Sequence, residues 1–260
     1  MRTGRVLGVI PARLGSERLP RKPLHRLAGR PLIEWVWRRI KSLQIFDELV
    51  IATDSDEVAA VVRAFGGMVE LTSAAHVSGT DRVAELARRR RDRFDVIVNV
   101  QGDEPFLEGA QICAAVDLVR VEWPIGTIAT PVQTMSAWQN PAVVKVVRRA
   151  DGAALYFSRA PLPYTRAGEP DARALGTELY LRHIGVYAYT PAALEAWVAL
   201  PEHPLERAER LEQLRPLAAG IGIGVAVVAS SAEGIDTPED AARAEQMIES
   251  EPLRWTVAET

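Results

Sequence analysis

The sequence has one cysteine, Cys113, among 260 residues, so it cannot close an intrachain disulfide, and a reducing cytosol is the expected compartment. It has no basic excess. The formal charge is −3, which excludes the electrostatic footprint of a phosphate-backbone binder, so no nucleic-acid partner is expected. Long apolar runs are missing too. The first, Val6 to Ile10, stops at Pro11, too short for a signal-peptide core or a bilayer span, and no later stretch comes close, so no membrane is expected. There is no 20 to 50-residue repeat and no low-complexity tract. Neither GxGxxG nor GxxxxGK[ST] occurs, which removes the dinucleotide fingerprint and the P-loop. Zinc-type Cys/His spacing and a Ser-His-Asp order are likewise missing.

What is present is 48% apolar residues, enough to bury a sizeable core in one large domain. Cys113, in the helix-like run Ala110, Ile112, Ala114, Val116, is expected as a small core residue. Val6 to Ile10 is strand-like and is followed by an Arg-rich loop and a helix from Pro31. Leu49 to Thr53 then reads as a strand, Glu57 to Phe65 as a helix closed by Gly66-Gly67, Asp81 to Arg91 as a helix and Val96 to Val100 as a buried strand. Alternating strands and helices predict an α/β fold with a mostly parallel sheet flanked by helices. The loops after Ile10, Thr53 and Val100 then lie at the carboxyl ends of the strands, where such sheets bind ligands.

The middle differs. Ile125 to Val132, Val143 to Arg148, Leu155 to Ser158 and His183 to Tyr189 are strand-like with few helices between them, which predicts a partly antiparallel insertion over about 125–200. A helix is expected over Leu205 to Ala219, a strand over Ile223 to Ala229 and a last helix over Pro238 to Ile248, with a loose tail at 251–260. Thr237 reads as the N-cap of that helix, Pro238 suits its first position and Asp240 sits where a capping-box acid belongs.

The loop from Pro11 to Leu24 carries Arg13, Arg18, Arg21 and Lys22. Forked guanidinium donors, a compact ammonium, and the backbone N–H groups of Gly15 and Ser16 suit a polyphosphate, although a solvated basic loop has the same composition. Asp103 and Glu104 follow a buried strand, where α/β enzymes put magnesium ligands, with Glu104 read as orienting the loop. Asp54 ends another strand. Asp236 reads either as a second ligand or as a charge beside a helix N-terminus. His183 and Tyr187, four apart, share one face of a strand, as ordinary hydrogen-bonded strand residues or as pocket lining. Glu212 and Gln213 flank the stripe of Leu211 and Leu214 on the expected helix. His76 either frames a base or is a loop histidine, and His203 reads as turn surface. The tryptophans read as core or subunit contact.

The blocks IPARLGSERLPRKPL, VIATDSDEV, HVSGTDRVAE, VNVQGDEP, PAVVKVV, ALYFSRAPLP, LRHIGVYAY, LERAERLEQLR and GIDTPED resemble, in order and spacing, those of the 3-deoxy-manno-octulosonate cytidylyltransferases, over roughly residues 5 to 248. The resemblance implies a nucleotide-diphospho-sugar transferase type of sheet with an inserted sugar-binding and dimerisation region, within a single domain over 1–250. It implies a homodimer that joins CTP to 3-deoxy-manno-octulosonate for lipopolysaccharide synthesis. It also implies Mg2+ held by Asp103 and Asp236. Arg13, Arg18 and Lys22 match the family's phosphate-binding positions. Gln101 and Arg82 match positions around the nucleotide, with a solvated helix face as the plain alternative for Arg82. Arg159, His183, Tyr187, Glu212 and Gln213 match positions around the acid sugar. Two residues depart from the pattern. Arg21 stands where the family often has glycine, and Glu17 where it has a small hydroxyl residue. The rival readings are the same chemistry on an 8-amino analogue or a sialic acid, and a non-catalytic nucleotide-binding homologue.

Overall fold

The fold was analysed in a computed structural model that describes residues 4–15, 18–121, 123–166, 168–229 and 234–250. Ser16, Glu17 and the 251–260 tail lie outside the described residues. The chain divides into two compact units, Met1–Ala110 with Ala232–Thr260, and Gln111–Ser231.

The first unit begins with β1 (Val6–Ala12), the short pair β2 (Arg26–Leu27) and β3 (Arg30–Pro31), and α1 (Leu32–Ser42). It continues through β4 (Glu48–Thr53), α2 (Asp56–Ala64), β5 (Val69–Leu71), α3 (Gly79–Arg89) and β6 (Val96–Asn99). Strands β6, β1, β4 and β5 lie side by side and every pair is parallel. The first five residues of β1 and all four of β6 are buried, as expected of parallel strands covered on both faces. Helix starts follow the local chemistry. Ser55 accepts from Val58 N, and Ser78 forms a capping box with Asp81. Helix α2 stops where the chain turns left-handed at Gly66, φ 78°.

The second unit takes up α4 (Gly109–Arg120) and continues with β7 (Ile125–Pro131), α5 (Met135–Gln139), β8 (Lys145–Arg148), β9 (Ala154–Ser158) and β10 (Leu181–Tyr189). Then come α6 (Pro191–Ala199), α7 (Pro204–Glu209), α8 (Leu214–Ala218) and β11 (Ile223–Val227). Strand β10 runs antiparallel to β7 and β8, β8 antiparallel to β9, and β11 parallel to β7, so the expected antiparallel character is present. Gly224 lies against Trp123, where a Cβ would come within 2.8 Å of the indole. Cys113 is only half-buried on α4.

The expected continuous helix over Leu205 to Ala219 does not form. It breaks at Arg210, which adopts a left-handed conformation (φ 52°, ψ 50°) and whose N–H bonds Glu206 O. The following N–H, of Leu211, bonds the same oxygen, so the helical ladder is not continued. Glu212 and Gln213 therefore lie on the turn between α7 and α8. A buried pair holds that turn: the Arg215 guanidinium grips Glu206 with bonds of 2.7 and 2.5 Å. His203 is not mere turn surface. Its Nδ1 accepts from Leu205 N at 3.2 Å, in a reciprocal cap with Glu206. The chain returns to the first unit for α9 (Pro238–Ser250).

Candidate active site

In the first unit, the loop after β6 packs against the end of β1 because glycine lets it. A Cβ on Gly102 would stand 2.9 Å from Pro11 O, too close for any side chain without movement of the backbone. The β6 loop is also tied to the segment before α9, with Ile235 N donating to Asp103 O at 2.9 Å. This stitch brings Asp103 and Asp236 to one place. The Lys22 ammonium hydrogen-bonds both carboxylates, Asp103 and, at 2.8 Å, Asp236. Arg18 adds a contact of 3.0 Å to the other Asp236 oxygen from the more exposed side. Burial lowers the Lys22 pKa, but the charge and hydrogen bond of Asp103, followed by those of Asp236, outweigh it, leaving the pKa above the ordinary lysine value.

The hydrogen bonds around Asp236 divide between its backbone and its side chain. The cap of α9 is made by its neighbours. Asp240 N donates to Thr237 Oγ1 at 3.2 Å, while the Asp240 carboxylate accepts from the N–H groups of Asp236 and Thr237 at 3.0 and 2.9 Å. The Asp236 carboxylate faces Lys22 and Arg18 instead. Two hard carboxylates converging on one cation form a donor set that can accept a divalent ion. Among the described residues, no group of three acidic, histidine or cysteine side chains completes a cage. Magnesium in general keeps several waters and takes one or two carboxylates with phosphate oxygens.

The other basic residues of the loop separate. Arg13 is exposed, with one N–H 3.3 Å from Val77 O. Arg21 adopts a left-handed conformation (φ 56°, ψ 33°) at the entry to a single turn over Lys22–Leu24, and its guanidinium pairs with Glu57. The φ value explains why glycine suits this position. Gln101 is half-buried at the start of the β6 loop.

The plain alternative for Arg82, a solvated helix face, does not hold. Arg82 is 2% exposed, and its guanidinium bonds Asp54 at 2.8 Å, Thr72 Oγ1 at 2.6 Å and Ser73 O at 3.3 Å. It braces the segment after β5 against the end of β4, and Asp54 acquires a role as its counter-ion. His76 is held by Glu85, Nε2 to Oε2 2.5 Å.

In the second unit, His183 and Tyr187 share a face of β10 although a bulge lies between Ile184 and Tyr187. The bulge adds two residues, so alternation is restored, and the two ring centroids are 5.3 Å apart. Phe157 packs edge-on to His183 at 5.0 Å. Thr127 Oγ1 gives its hydrogen to Val186 O at 2.7 Å, so it accepts from His183 Nε2 at 2.9 Å. That fixes the tautomer and leaves Nδ1 as an acceptor. Burial pushes the His183 pKa down to about 3, which keeps the ring neutral. The Tyr187 phenol is driven well above its ordinary value by burial first, then by the Tyr189 and Glu212 charges, against a lowering by Thr127. Among the described residues its buried oxygen nevertheless has no hydrogen-bond partner of good geometry. Gln213 is buried and Glu212 half-buried on the turn before α8. Arg159 donates through Nε to Glu209 O at 2.8 Å and through Nη1 to Pro141 O at 3.0 Å. Glu209, Thr127 and Lys145 escaped the sequence reading. Only Lys145 carried a signal, as a cation flanked by valines in a strand.

A parallel α/β sheet with a cation-rich loop after its first strand and paired carboxylates beside it defines a nucleotide-dependent transferase. The comparisons narrow the class. Residues 7–223 match the cytidylyltransferase family model. The 3-deoxy-manno-octulosonate cytidylyltransferase of Gemmatimonas aurantiaca is 51% identical over 241 residues, covering 92% of each chain. That of Syntrophobacter fumaroxidans is 45% identical, covering 91% of this chain and 94% of its own. Among solved structures, a CMP:2-keto-3-deoxy-manno-octonic acid synthetase complexed with CTP superposes with a TM-score of 0.86 at 37% identity, over 95% of this chain and 99% of that one. The chain belongs to the 3-deoxy-manno-octulosonate cytidylyltransferase family.

Proposed function

We propose that this chain transfers the cytidylyl group of CTP to the anomeric hydroxyl of 3-deoxy-manno-octulosonate, giving the CMP-sugar and pyrophosphate. The observation that carries the reading is the convergence of Asp103 and Asp236 on Lys22 beside the β1 loop, in a chain so closely related to enzymes of that name. The hydroxyl oxygen attacks the α-phosphorus in line, the bond to the β-phosphate oxygen breaks, and the hydroxyl proton passes to solvent. Arg13, Arg18 and Lys22 hold the triphosphate and neutralise the charge that builds on the departing pyrophosphate. Asp103 and Asp236 would hold magnesium, which would supply a hard positive charge to the phosphate oxygens. Lys22 keeps the two carboxylates close together. Gln101 takes the nucleotide, and Arg82 acts on it through the segment it braces. Arg159, neutral His183, Tyr187, Glu212 and Gln213 take the acid sugar, with the His183 Nδ1 lone pair suited to a sugar hydroxyl.

The same reading makes the enzyme cytoplasmic, a supplier of activated sugar for lipopolysaccharide, and a homodimer. In support, no helix among the described residues is long and apolar enough to cross a membrane. Strand β9 pairs only with β8 among the described strands and exposes Leu155, an edge that a second subunit would cover. The test is pyrophosphate release with each of the four nucleoside triphosphates and a panel of acid sugars, the 8-amino analogue and sialic acid included. CTP with 3-deoxy-manno-octulosonate is expected to lead. Equal turnover with all four nucleotides would overturn the cytidylyl assignment, and preference for another sugar would reassign the acceptor.

A further inference from the structure

Lys145, in β8, has no exposed surface. Its ammonium donates to three backbone carbonyls, Asn140 O at 2.9 Å, Val143 O at 2.5 Å and Arg159 O at 2.7 Å. Those three bonds use every donor it has. The Arg159 guanidinium rests on the same stretch of main chain, with Nη1 3.0 Å from Pro141 O, between two carbonyls that Lys145 holds. Glu209 closes the arrangement. Its carboxylate accepts from Arg159 N at 2.9 Å and Ser158 Oγ at 2.6 Å, while its carbonyl takes Arg159 Nε. Two cations are thus packed around the loop 140–143, held there chiefly by carbonyl dipoles. Burial and then the Arg159 charge lower the Lys145 pKa to about 8, against a raising by Glu209. A hydrophobe in place of Lys145 would deprive each of those three carbonyls of a hydrogen bond, so their positions depend on Lys145.

We propose that Lys145 is a positioning residue for substrate: by pinning the carbonyls of Asn140, Val143 and Arg159 it fixes the loop on which the Arg159 guanidinium rests, and so aims the remaining Arg159 N–H bonds at the carboxylate of the acid sugar. Three of the five guanidinium N–H bonds already end on Glu209 O, Pro141 O and, at 3.5 Å, Arg210 O, which leaves two for a ligand. The inference rests on the assignment of Arg159 to the sugar, and the experiment separates the two.

Initial rates are measured for Lys145→Met, Lys145→Gln, Arg159→Ala and the Lys145→Met/Arg159→Ala double variant, with CTP and 3-deoxy-manno-octulosonate varied in turn. Thermal midpoints are recorded alongside. Arg159→Ala raises the sugar KM. Lys145→Met raises the sugar KM by at least about tenfold and leaves the CTP KM within about twofold, and adds little to the Arg159→Ala variant. Lys145→Gln, whose amide keeps two N–H donors, recovers part of the loss. If Arg159→Ala leaves the sugar KM unchanged, the assignment of Arg159 fails, whatever Lys145 does. If Arg159→Ala raises it while both Lys145 variants keep the wild-type value, the positioning role is wrong. It is equally overturned if the Lys145 variants lose affinity for both substrates together with their thermal midpoint, or if neither folds, since the residue is then purely structural.

Discussion

Lys22 and Asp236, 214 residues apart in the sequence, meet at 2.8 Å, and the same ammonium bonds Asp103. One cation between two carboxylates neutralises half their charge and keeps them close enough to share a ligand. Removing Lys22 alone would leave like charges facing each other, so Lys22→Met is expected to raise the CTP KM by at least about tenfold, read from initial rates, and an unchanged CTP KM would remove Lys22 from the nucleotide site.

Asp236 and Thr237 are adjacent but have different work, and substitution separates them. Asp236→Asn is expected to lower turnover by at least about a hundredfold, on the order of 3 kcal/mol in the transition state, with little change in stability. Thr237→Ala removes the acceptor for Asp240 N, and is expected to cost about 1 kcal/mol of stability with turnover largely kept. Near-normal turnover of Asp236→Asn at limiting magnesium would make that carboxylate structural.

Arg21 holds a left-handed backbone and an exposed pair with Glu57. Arg21→Ala keeps the backbone strain and loses the pair, whereas Arg21→Gly loses both. The glycine variant is therefore expected to be the more stable of the two by about 1 kcal/mol in chemical denaturation, since αL costs a non-glycine residue roughly that much and exposed ion pairs contribute about 0–1 kcal/mol. The opposite order would show that the conformation is not maintained.

His183 has a folded-state pKa of about 3, below the roughly 6.5 of an unfolded histidine. Between those values the unfolded chain binds the proton and the native one does not, so stability falls as pH drops from about 6.5 towards 3. His183→Gln is expected to weaken this acid sensitivity, seen as a shallower loss of thermal midpoint between pH 6.5 and 4 than in the parent. Equal slopes would mean that the ring is protonated in place.

Glu206 and Arg215 form the buried pair that holds the turn bearing Glu212 and Gln213. Glu206→Ala leaves the Arg215 charge buried without its carboxylate, expected to cost about 3–5 kcal/mol in denaturant unfolding. A loss below about 1 kcal/mol would show that Arg215 reaches solvent.

The sequence by itself determined what depends on neighbours in the chain. Apolar runs and helical spacing marked β1, β4, β6 and the helices between them, because the period of burial is written residue by residue. The cap of α9 was legible for the same reason: Thr237, Pro238 and Asp240 act within one turn. The ordered blocks from IPARLGSERLPRKPL to GIDTPED were enough to identify the family. Tertiary structure decided the rest. Nothing local shows that the Asp236 side chain meets Lys22; the stitch from Ile235 N to Asp103 O, which no periodicity encodes, brings the two carboxylates to one ammonium. What encloses Arg82 was not legible locally, because its partners, Asp54 and Thr72, lie just beyond the ends of β4 and β5. The helix expected through Arg210 broke because the buried Glu206–Arg215 pair and the packing of Leu211 and Leu214 set the path of the chain against its local propensity. Lys145 could be buried only because three carbonyls from separate positions converge on it, and such convergence is a property of the folded chain alone.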